Sequence, residues 1–426
     1  MPRVLLVLPS TTYRASDFLA AARRLGVEVV VASDQRQVLE SLVPGRSLAV
    51  DLNDAEAAAG AMAAFARAHP VDAVVAVDDG GTLAAALAAE RLGLPHNPVE
   101  AVRATRDKGL LRERLAEAGV PCPDFRLLPL DGDPARAAPW LPYPCVVKPL
   151  SLSGSRGVIR ADDPASFLAA FQRVQALLSR PEVAAQCGGS AREVLVEGYI
   201  PGREVSLEGL LAAGRLHALA LFDKPDPLEG PFFEETIYVT PSRLPPPVQA
   251  QVLETAERSA RALGLRDGPV HVELRINEAG VWPVDVAARS IGGLCSRTLT
   301  FGTGMSLEEL ILRHAVGAPI PTYQREARAA GVMMIPIPGR GTLRAVHGLR
   351  AAEAVPGIQS VTITIPRGRP VVPLPEGDAY LGFIFARGER PEEVETALRA
   401  AHACLRFDIE PAEVTAGAAP GGGCAG

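Results

Sequence analysis

Apolar runs of strand length alternate with segments of helical periodicity along the first 105 residues. The predicted strands are Val4–Leu8, Val27–Ala32 and Ala73–Val77, and the predicted helices are Ala15–Leu25, Gln35–Leu42, Asp54–His69 and Leu83–Leu92. This order predicts an N-terminal α/β domain, residues 1–105, built on an open parallel sheet. The first strand is followed by Pro9-Ser10-Thr11-Thr12-Tyr13 rather than G-x-G-x-x-G, so the fold class is supported but dinucleotide binding is not.

Residues 106–325 form a second region, in which the apolar pattern favours strands that pair as hairpins. A helix from Lys108 to Ala118 is followed by a Pro-rich connector, Pro121–Pro144. The other predicted helices are Ala165–Leu178, Val248–Leu263 and Leu307–Val316. The predicted strands are Cys145–Lys148, Glu193–Glu197, Val205–Ala212, Leu216–Phe222, Val270–Ile276 and Val281–Val286.

The last third of the chain changes to an α+β pattern. The predicted strands are Val332–Ile335, Val361–Ile365 and Leu381–Ala386, followed by a helix at Pro391–Leu405. We place a boundary near Tyr323–Arg328, which gives a C-terminal α+β domain at residues 326–412. Residues 413–426 are rich in Ala, Gly and Pro and are predicted to be disordered.

Composition narrows the class of protein. The chain is 48% hydrophobic and 22% charged, with a formal net charge of −6 and no basic block, which argues against a nucleic-acid partner. Its six cysteines are scattered without a C-x-x-C pair, so neither a zinc site nor a disulfide framework is indicated. With no signal-peptide layout and no apolar run of membrane-spanning length, we expect a cytoplasmic protein without a membrane partner.

Only three lysines, Lys108, Lys148 and Lys224, occur among the 43 lysine and arginine residues. A retained lysine indicates a place where a compact, rotatable ammonium is needed rather than a guanidinium fork. Lys148 directly precedes a Gly/Ser-rich loop, in which Ser151, Gly154, Ser155 and Gly157 expose backbone N–H groups of the kind that bind phosphate. An ordinary Gly/Ser turn is the alternative.

Carboxylates mark two further segments. Glu197 and Glu204 flank a turn at Pro201-Gly202, and an alternative is a strand end with solvated charges. Glu273 and Asp285 lie in two apolar strands joined by a tight turn, where isolated carboxylates would be costly. Mg²⁺ held together with phosphate oxygens would remove that cost. The alternative is a cross-strand ion pair with Arg275.

These motifs, in this order from Lys108 to Gly293, resemble the nucleotide-binding core of the ATP-grasp ligases, and the layout is similar to that of L-amino acid ligases and biotin carboxylase. The resemblance implies an ATP-grasp architecture, in which a two-part nucleotide clamp lies between the N-terminal and C-terminal domains. It implies ATP and Mg²⁺ as cofactors, with the glycine loop as a lid over the triphosphate. Small-molecule carboxylate and amine substrates and a homodimer are also consistent with it.

The resemblance also implies a role for each site residue. Lys108 and Lys148 would contact phosphates, whereas Glu197 and the Ile200 backbone would bind adenine. Glu204 would accept hydrogen bonds from the ribose. The remaining expected roles are metal binding by Glu273 and Asp285, contact with the transferred phosphoryl group by Arg289, and a place on the acceptor side of the cleft for Lys224.

One position departs from the family pattern. The second metal motif of the family usually reads Glu-x-Asn-x-Arg, but here it reads Asp285-Val286-Ala287-Ala288-Arg289, and Ala287 cannot bind a metal. The leading hypothesis is an ATP-dependent carboxylate–amine ligase that forms an amide through an acyl phosphate. The alternatives are a bicarbonate-using enzyme similar to biotin carboxylase and a non-catalytic ATP-binding protein.

Overall fold

The computed structural model of the protein describes residues 1–35 and 45–411. The predicted helix Gln35–Leu42, apart from its first residue, and the predicted disordered tail 413–426 lie outside the described residues. Within the described ranges, no helix is both long enough and apolar enough to cross a membrane.

The N-terminal region is the predicted open parallel sheet. Its elements are β1 (Arg3–Val7), α1 (Ala15–Leu25), β2 (Glu28–Ser33), β3 (Ser47–Ala49), α2 (Ala55–Ala68), β4 (Ala73–Ala76) and α3 (Asp79–Leu92). The strands are parallel in the order β3-β2-β1-β4, with helices between them. Helix α3 begins at Asp79, four residues before the predicted start at Leu83, so an acidic side chain lies at its N-terminus. The carboxyl ends of the strands therefore present polar residues at one sheet edge.

A small antiparallel sheet follows. The elements are α4 (Val99–Arg106), α5 (Lys108–Glu117), β5 (Phe125–Pro129), α6 (Pro134–Ala137), β6 (Cys145–Pro149), β7 (Ile159–Ala161), α7 (Pro164–Leu178), α8 (Pro181–Cys187) and β8 (Glu193–Gly198). The strand order is β5-β8-β6-β7. The prediction of Pro121–Pro144 as a plain connector is wrong, because it contains β5, which pairs along its whole length with β8. The prolines of this segment lie outside β5 or on β5 itself, which is an edge strand of the sheet. A backbone N–H that bonds to a neighbouring strand is not required at such positions.

The third region supplies most of a large sheet. Its elements are β9 (Arg203–Ala212), β10 (Arg215–Asp223), β11 (Ile237–Thr240), α9 (Pro246–Leu263), β12 (Gly268–Asn277), β13 (Gly280–Ala287), β14 (Thr300–Phe301), β15 (Met305–Ser306) and α10 (Leu307–Ala315). The predicted hairpin is confirmed as β9–β10, and the predicted strand pair as β12–β13. Helix α9 packs against this sheet through a core that includes Val252, Ala256 and Val270.

The C-terminal region extends the same sheet. Its elements are β16 (Ala329–Ile335), β17 (Gly341–His347), α11 (Leu349–Glu353), β18 (Ile358–Ile363), β19 (Pro370–Val371), β20 (Gly382–Gly388), α12 (Pro391–Ala403) and β21 (Arg406–Pro411). The large sheet has the order β13-β12-β9-β10-β11-β16-β20-β18. The boundary predicted near residue 325 therefore crosses a continuous sheet, because β11 pairs with β16 across it. Strands β17, β19 and β21 form a separate small sheet.

Candidate active site

A cavity of about 1660 Å³ lies where the N-terminal sheet, the small antiparallel sheet and one face of the large sheet meet. Eleven of the thirteen residues predicted for the site line it: Lys108, Lys148, Ser151, Gly154, Ser155, Glu197, Ile200, Glu204, Glu273, Asp285 and Arg289. Gly157 and Lys224 do not line it, but Gly157 directly precedes the lining residue Val158, and Lys224 contacts the lining residues Glu204 and Glu273. The structure thus brings together residues as far apart in the sequence as Lys108 and Arg289, which are separated by 181 positions.

Lys148 is held in place by an ion pair across the small sheet. It is 4% exposed, and its Nζ lies 2.6 Å from Glu197 Oε1. Glu197 also accepts two hydrogen bonds from Arg112, at 2.7 and 3.2 Å. Burial alone would raise the pKa of Glu197, but the charges of Arg112 and Lys148 outweigh it and hold the pKa at about 2. Glu197 therefore remains ionised and positions Lys148.

The glycine loop after Lys148 is fixed at both ends. Lys108 Nζ donates to the carbonyl of Leu152 at 2.8 Å, and Gly157 N–H donates to the carbonyl of Pro375 at 2.8 Å. Gly157 has φ +75°, and a Cβ there would lie 2.7 Å from Pro149 Cγ, so only glycine fits. Arg156 donates to the Glu376 carbonyl and to Asp378 Oδ2, both at 3.0 Å. The loop is thus docked on the C-terminal region.

One face of the large sheet carries a polar array along β9, β12 and β13. Side chains on one face of a strand recur at every second residue, and directly paired residues share that face. The array consists of Glu204, Ser206 and Glu208 on β9, His271, Glu273 and Arg275 on β12, and Asp285 and Ala287 on β13. The register gives the rows Arg275–Glu204, Asp285–Glu273–Ser206 and Ala287–His271–Glu208. Three strands therefore contribute to one array, and all of its members except Ser206 and Glu208 line the cavity.

Lys224 directly follows β10, and its ammonium lies among the carboxylates of this array. Its ammonium contacts Glu204 at 2.7 Å and Glu273 at 3.2 Å, and it also contacts Glu235. Burial would lower the pKa of Lys224, but the three carboxylates together raise it well above its ordinary value. Burial and the neighbouring charge of Glu273 raise the pKa of Glu235 to about 7. Lys224 is not a surface lysine, because its side chain is only 3% exposed.

The predicted metal carboxylates share the central row of the array. Glu273 pairs directly with Asp285 in the β12–β13 register, and both line the cavity. Asp285 Oδ1 is buried without a hydrogen-bond partner among the described residues, as expected for an oxygen that is available to a cation. The alternative pairing with Arg275 is not found, since Arg275 donates to Glu204 at 2.8 Å and to the Ile200 carbonyl at 2.8 Å. This donor set fits Mg²⁺.

A group of three carboxylates that could hold a cation lies beside this row. Ligand atoms of Glu204, Glu235 and Glu273 lie within 4.8 Å of one another. The Lys224 ammonium already contacts all three, so this group has a positive partner within the chain. Among the residues that the structure describes, Glu273 thus belongs both to the lysine cluster and to the Asp285 row.

Arg289 is oriented by the N-terminal domain. Its Nε and Nη2 donate to Asp79 Oδ2 at 3.0 and 2.8 Å, and its Nη1 donates to the Ser290 carbonyl. Asp79 also lies 3.5 Å from Arg106, whose other nitrogen donates to the Ser151 carbonyl at 3.4 Å. Burial would raise the pKa of Asp79, but Arg289 and Arg106 lower it to about 2. A network of charges therefore connects helix α3, Arg289 and the glycine loop.

This network predicts a pH-dependent contribution of Asp79 to stability. The Asp79 pKa is about 2 in the folded protein against an ordinary value of 3.8, so its contribution is complete above about pH 4 and is lost as the pH falls toward 2. The urea midpoint of Asp79→Asn should therefore lie below that of the parent at pH 6, and the difference should shrink as the pH falls from about 4 toward 2. A difference that stays constant over this range would contradict the assignment.

An apolar slot completes the cavity near Lys148. Val146, Leu228 and Phe233 form a small buried cluster against which Val158 and Tyr199 pack, and all five residues line the cavity. The Tyr199 ring is stacked on Phe233 and lies 4.2 Å from the Arg160 guanidinium carbon. A planar apolar group such as a nucleobase would fit between walls of this kind.

Several residues that shape the site were not predicted from the sequence. Arg112 lies one helical turn after Lys108 on α5, so the i, i+4 spacing was the available signal. Glu208 and His271 continue the alternation of Glu204 and Glu273 on their strands. Asp79 gave no such signal, because its partner Arg289 is 210 residues away in the sequence.

Comparisons with known proteins agree with this geometry. Residues 141–298 match the family described as ATP-grasp domain, residues 19–96 the ATP-grasp N-terminal domain, and residues 333–410 the L-amino acid ligase C-terminal domain 2. A D-alanine–D-alanine ligase of Acidiphilium cryptum is 30% identical over 265 residues, which cover 57% of this chain and 80% of that protein. The chain belongs to the ATP-grasp ligase family.

Two further relatives resemble this chain in its layout. The alanine–anticapsin ligase of Bacillus subtilis is 28% identical over 256 residues, which cover 57% of this chain and 53% of the relative, so the match spans about half of that protein. The crystal structure of an L-amino acid ligase from Bacillus licheniformis superimposes with a TM-score of 0.81 at 26% identity. That superposition covers 96% of this chain and 99% of the other. The whole architecture, rather than the nucleotide clamp alone, is therefore shared.

Proposed function

We propose that this protein joins a small-molecule carboxylate to an amine, using ATP to activate the carboxylate as an acyl phosphate. The observation that carries the proposal is the convergence of Lys148, the Glu273–Asp285 row and Arg289 on one cavity. A fixed ammonium, paired carboxylates and a guanidinium together suit phosphoryl transfer, in which positioning and charge neutralisation provide most of the catalysis. The similarity to amide-forming relatives such as the L-amino acid ligase supports the same reading.

The reaction has two balanced steps. A carboxylate oxygen attacks the γ-phosphorus of ATP, the bond to the β,γ-bridging oxygen breaks, and ADP leaves with that electron pair. The amine nitrogen then attacks the acyl carbon, the carbon–oxygen bond to phosphate breaks, and inorganic phosphate leaves as the nitrogen loses a proton. Arg289 lies beside the cavity, where it can neutralise charge on the transferred group, and the docked glycine loop limits the access of water.

The nucleotide would lie along the wall built by the small sheet and β9. We propose that the slot around Tyr199 and Phe233 takes the base, Glu204 faces the ribose, and Lys108 and Lys148 contact phosphates. Glu197 would act mainly by keeping Lys148 in place, since both of its oxygens already accept hydrogen bonds. Glu273 and Asp285 would hold Mg²⁺, which neutralises phosphate charge when bound. Ala287 provides no third ligand, so these two residues would act with water and phosphate oxygens.

Product analysis tests the proposal directly. Purified protein is incubated with ATP, Mg²⁺ and pools of amino acids and other small acids and amines, and released phosphate is measured together with mass spectra of the products. We expect phosphate release only when a carboxylate and an amine are both present, with a new amide in equal amount. Turnover that requires bicarbonate and yields a carboxylated amine would favour the carboxylase alternative, and the absence of any turnover would favour a non-catalytic ATP-binding protein.

The docked loop leads to a prediction about coupling. Arg156→Ala removes both side-chain contacts between the loop and residues 376 and 378, so the loop should open more often and admit water to the acyl phosphate. We expect the phosphate released per amide to rise from about one to two or more, with a higher KM for ATP. The measurement is parallel quantification of phosphate and amide.

Arg173→Ala provides a matched control. Arg173 also contacts Glu376, but it lies on α7 outside the loop. We expect this variant to keep a ratio near one. A ratio near one in Arg156→Ala as well would show that these contacts do not control the access of water.

A further inference from the structure

Glu208 is a completely buried carboxylate that does not line the cavity, yet it lies in the same sheet face as the predicted metal carboxylates. Burying an ionised carboxylate is unfavourable unless its partners compensate, and an alkyl side chain of similar volume would avoid that penalty. Its Oε1 has no hydrogen-bond partner among the described residues. The reason for a carboxylate at this position must therefore be found in what its other oxygen contacts.

Glu208 Oε2 has two contacts, and each leads to a different part of the site. It accepts a hydrogen bond from Ile291 N–H at 2.9 Å, and it lies 3.1 Å from His271 Nδ1. On the other side of the imidazole ring, His271 Nε2 faces Glu273 Oε1 at 3.7 Å. One oxygen atom thus reaches the imidazole beside Glu273 and the backbone two residues after Arg289.

The backbone around Ile291 needs this support. Ser290, Ile291, Gly292 and Gly293 follow Arg289 after the end of β13 and are outside any helix or strand. The Arg289 guanidinium itself donates to the Ser290 carbonyl, so movement of this segment would also move the guanidinium. Ile291, Gly292 and Gly293 line the cavity. The Ile291 N–H bond is therefore placed where it can set the position of the segment.

The contact between Glu208 and His271 bears on the row that contains Glu273 and Asp285, the predicted metal ligands. The register places Glu208, His271 and Ala287 in one row, directly beside the row that contains Glu273 and Asp285. The imidazole is buried, and Ala287 on β13 lies opposite His271, on the side away from Glu208. With Nδ1 directed at Glu208, the ring is oriented so that Nε2 faces Glu273.

We propose that Glu208 is a positioning residue that, through one carboxylate oxygen, fixes both the imidazole that orients Glu273 and the segment that carries Arg289. Glu273, which is predicted to bind the metal, and Arg289, which is predicted to contact the transferred phosphoryl group, therefore share one support. The proposal deepens the proposed function and rests on it for the roles of Glu273 and Arg289. Its main test does not depend on knowing the substrates.

Two variants of Glu208 separate positioning from simple core packing. Glu208→Gln retains an oxygen that can accept both hydrogen bonds, whereas Glu208→Met retains the volume and removes both. The first readout is the affinity for ADP, measured by calorimetry in EDTA and in saturating Mg²⁺. The second is hydrogen–deuterium exchange of the peptide that contains residues 289–295.

We expect Glu208→Gln to behave like the parent within about threefold. In Glu208→Met, the affinity for ADP in EDTA should be unchanged, the tightening caused by Mg²⁺ should fall at least tenfold, and exchange at 289–295 should become at least tenfold faster. Parent-like values for both readouts in Glu208→Met would overturn the proposal. Equal damage in Glu208→Gln would also overturn it, because the charge rather than the shared oxygen would then be responsible.

His271→Asn keeps the proposal testable if Glu208→Met does not fold. The asparagine amide can still donate to Glu208 but has no atom where Nε2 faces Glu273. We expect Mg²⁺ to have a reduced effect on ADP affinity, whereas exchange at 289–295 should be like that of the parent. A parent-like effect of Mg²⁺ with faster exchange at 289–295 would contradict the separate roles of the two Glu208 contacts. If the substrate screen finds no turnover but these binding results are as predicted, the proposed function would be contradicted. The positioning role of Glu208 would still be supported.

Glu308→Met is the matched control. Glu308 is also a buried carboxylate with a single ion-pair partner, Arg14, at 3.3 Å. Its loss should lower the thermal stability without changing either the effect of Mg²⁺ or the exchange at 289–295. If Glu308→Met reproduced the Glu208→Met pattern, general destabilisation would explain both results and the positioning role would be rejected.

Discussion

Glu273→Gln is expected to lower kcat by roughly 1000-fold, the largest effect of any single substitution considered for this site. The amide removes the negative charge that faces both Lys224 and the cation position shared with Asp285. It leaves the shape of the side chain nearly unchanged, so the fold should be preserved. The measurement is the steady-state rate of ADP formation across a range of Mg²⁺ concentrations.

Asp285→Asn tests whether the two carboxylates act as a unit. We expect a similar loss, and we expect the double variant to be little worse than either single variant, because residues that share one ion are strongly non-additive. Glu273→Gln with a rate within about threefold of the parent would reject the row as the metal site. Additive losses in the double variant would indicate two separate roles.

Arg289→Lys is expected to lower kcat by about 100- to 1000-fold. A lysine retains the charge but cannot donate from two nitrogens to Asp79 while it also reaches the Ser290 carbonyl, as the guanidinium does. The ammonium should therefore lose its fixed orientation toward the transferred group. The loss should appear in kcat, with little change in ADP binding, because the contact is expected to strengthen in the transition state.

Arg243→Lys is the control for this substitution. Arg243 pairs with Asp223 and Glu395, but it does not line the cavity. We expect its kcat to remain within about twofold of the parent. An equal loss in both variants, or a parent-like kcat in Arg289→Lys, would remove Arg289 from the proposed mechanism.

Local pattern was sufficient to predict most of the strands and helices that carry the site. The apolar run before Lys148 and the spacing between Glu273 and Asp285 are properties of contiguous sequence. The strand that ends near Lys148 and the strand pair that carries Glu273 and Asp285 both form as predicted. The tight turn between β12 and β13 sets their register as far as Leu274 and Pro283, and a β-bulge beyond this point shifts the pairing by one residue, so that Glu273 lies opposite Asp285. The strands and the turn depend on neighbours along the chain, which a single sequence reveals, whereas the bulge was not predicted.

Features that depend on distant contacts were not predictable in the same way. Strand β11 has only four residues and is recognised as a strand through its pairing with β16, which also explains why a boundary near residue 325 crosses a sheet. The partners of Arg289 and Arg156 come from other regions of the chain. Their pairing depends on how the sheets are arranged in space, for which the sequence has no local periodicity.

A third group of residues lay between these extremes. The alternation Glu204, Ser206, Glu208 and its counterpart His271, Glu273, Arg275 place polar residues at every second position of strands that are otherwise apolar. Such alternation in a buried strand indicates a polar cavity on one face. Followed from Glu273 on β12, this rule finds His271, and followed from Glu204 on β9 it finds Glu208, in both cases without a structure.

Transfer of oxygen from the substrate carboxylate to phosphate tests the central claim most directly. Once an amide-forming pair of substrates is known, the carboxylate is labelled with ¹⁸O in both positions, and the phosphate and the amide are examined by mass spectrometry after turnover. An acyl phosphate predicts that each phosphate released with an amide carries one ¹⁸O and that the amide carbonyl retains the other. Phosphate that contains no ¹⁸O at any time during turnover would contradict phosphorylation of the carboxylate.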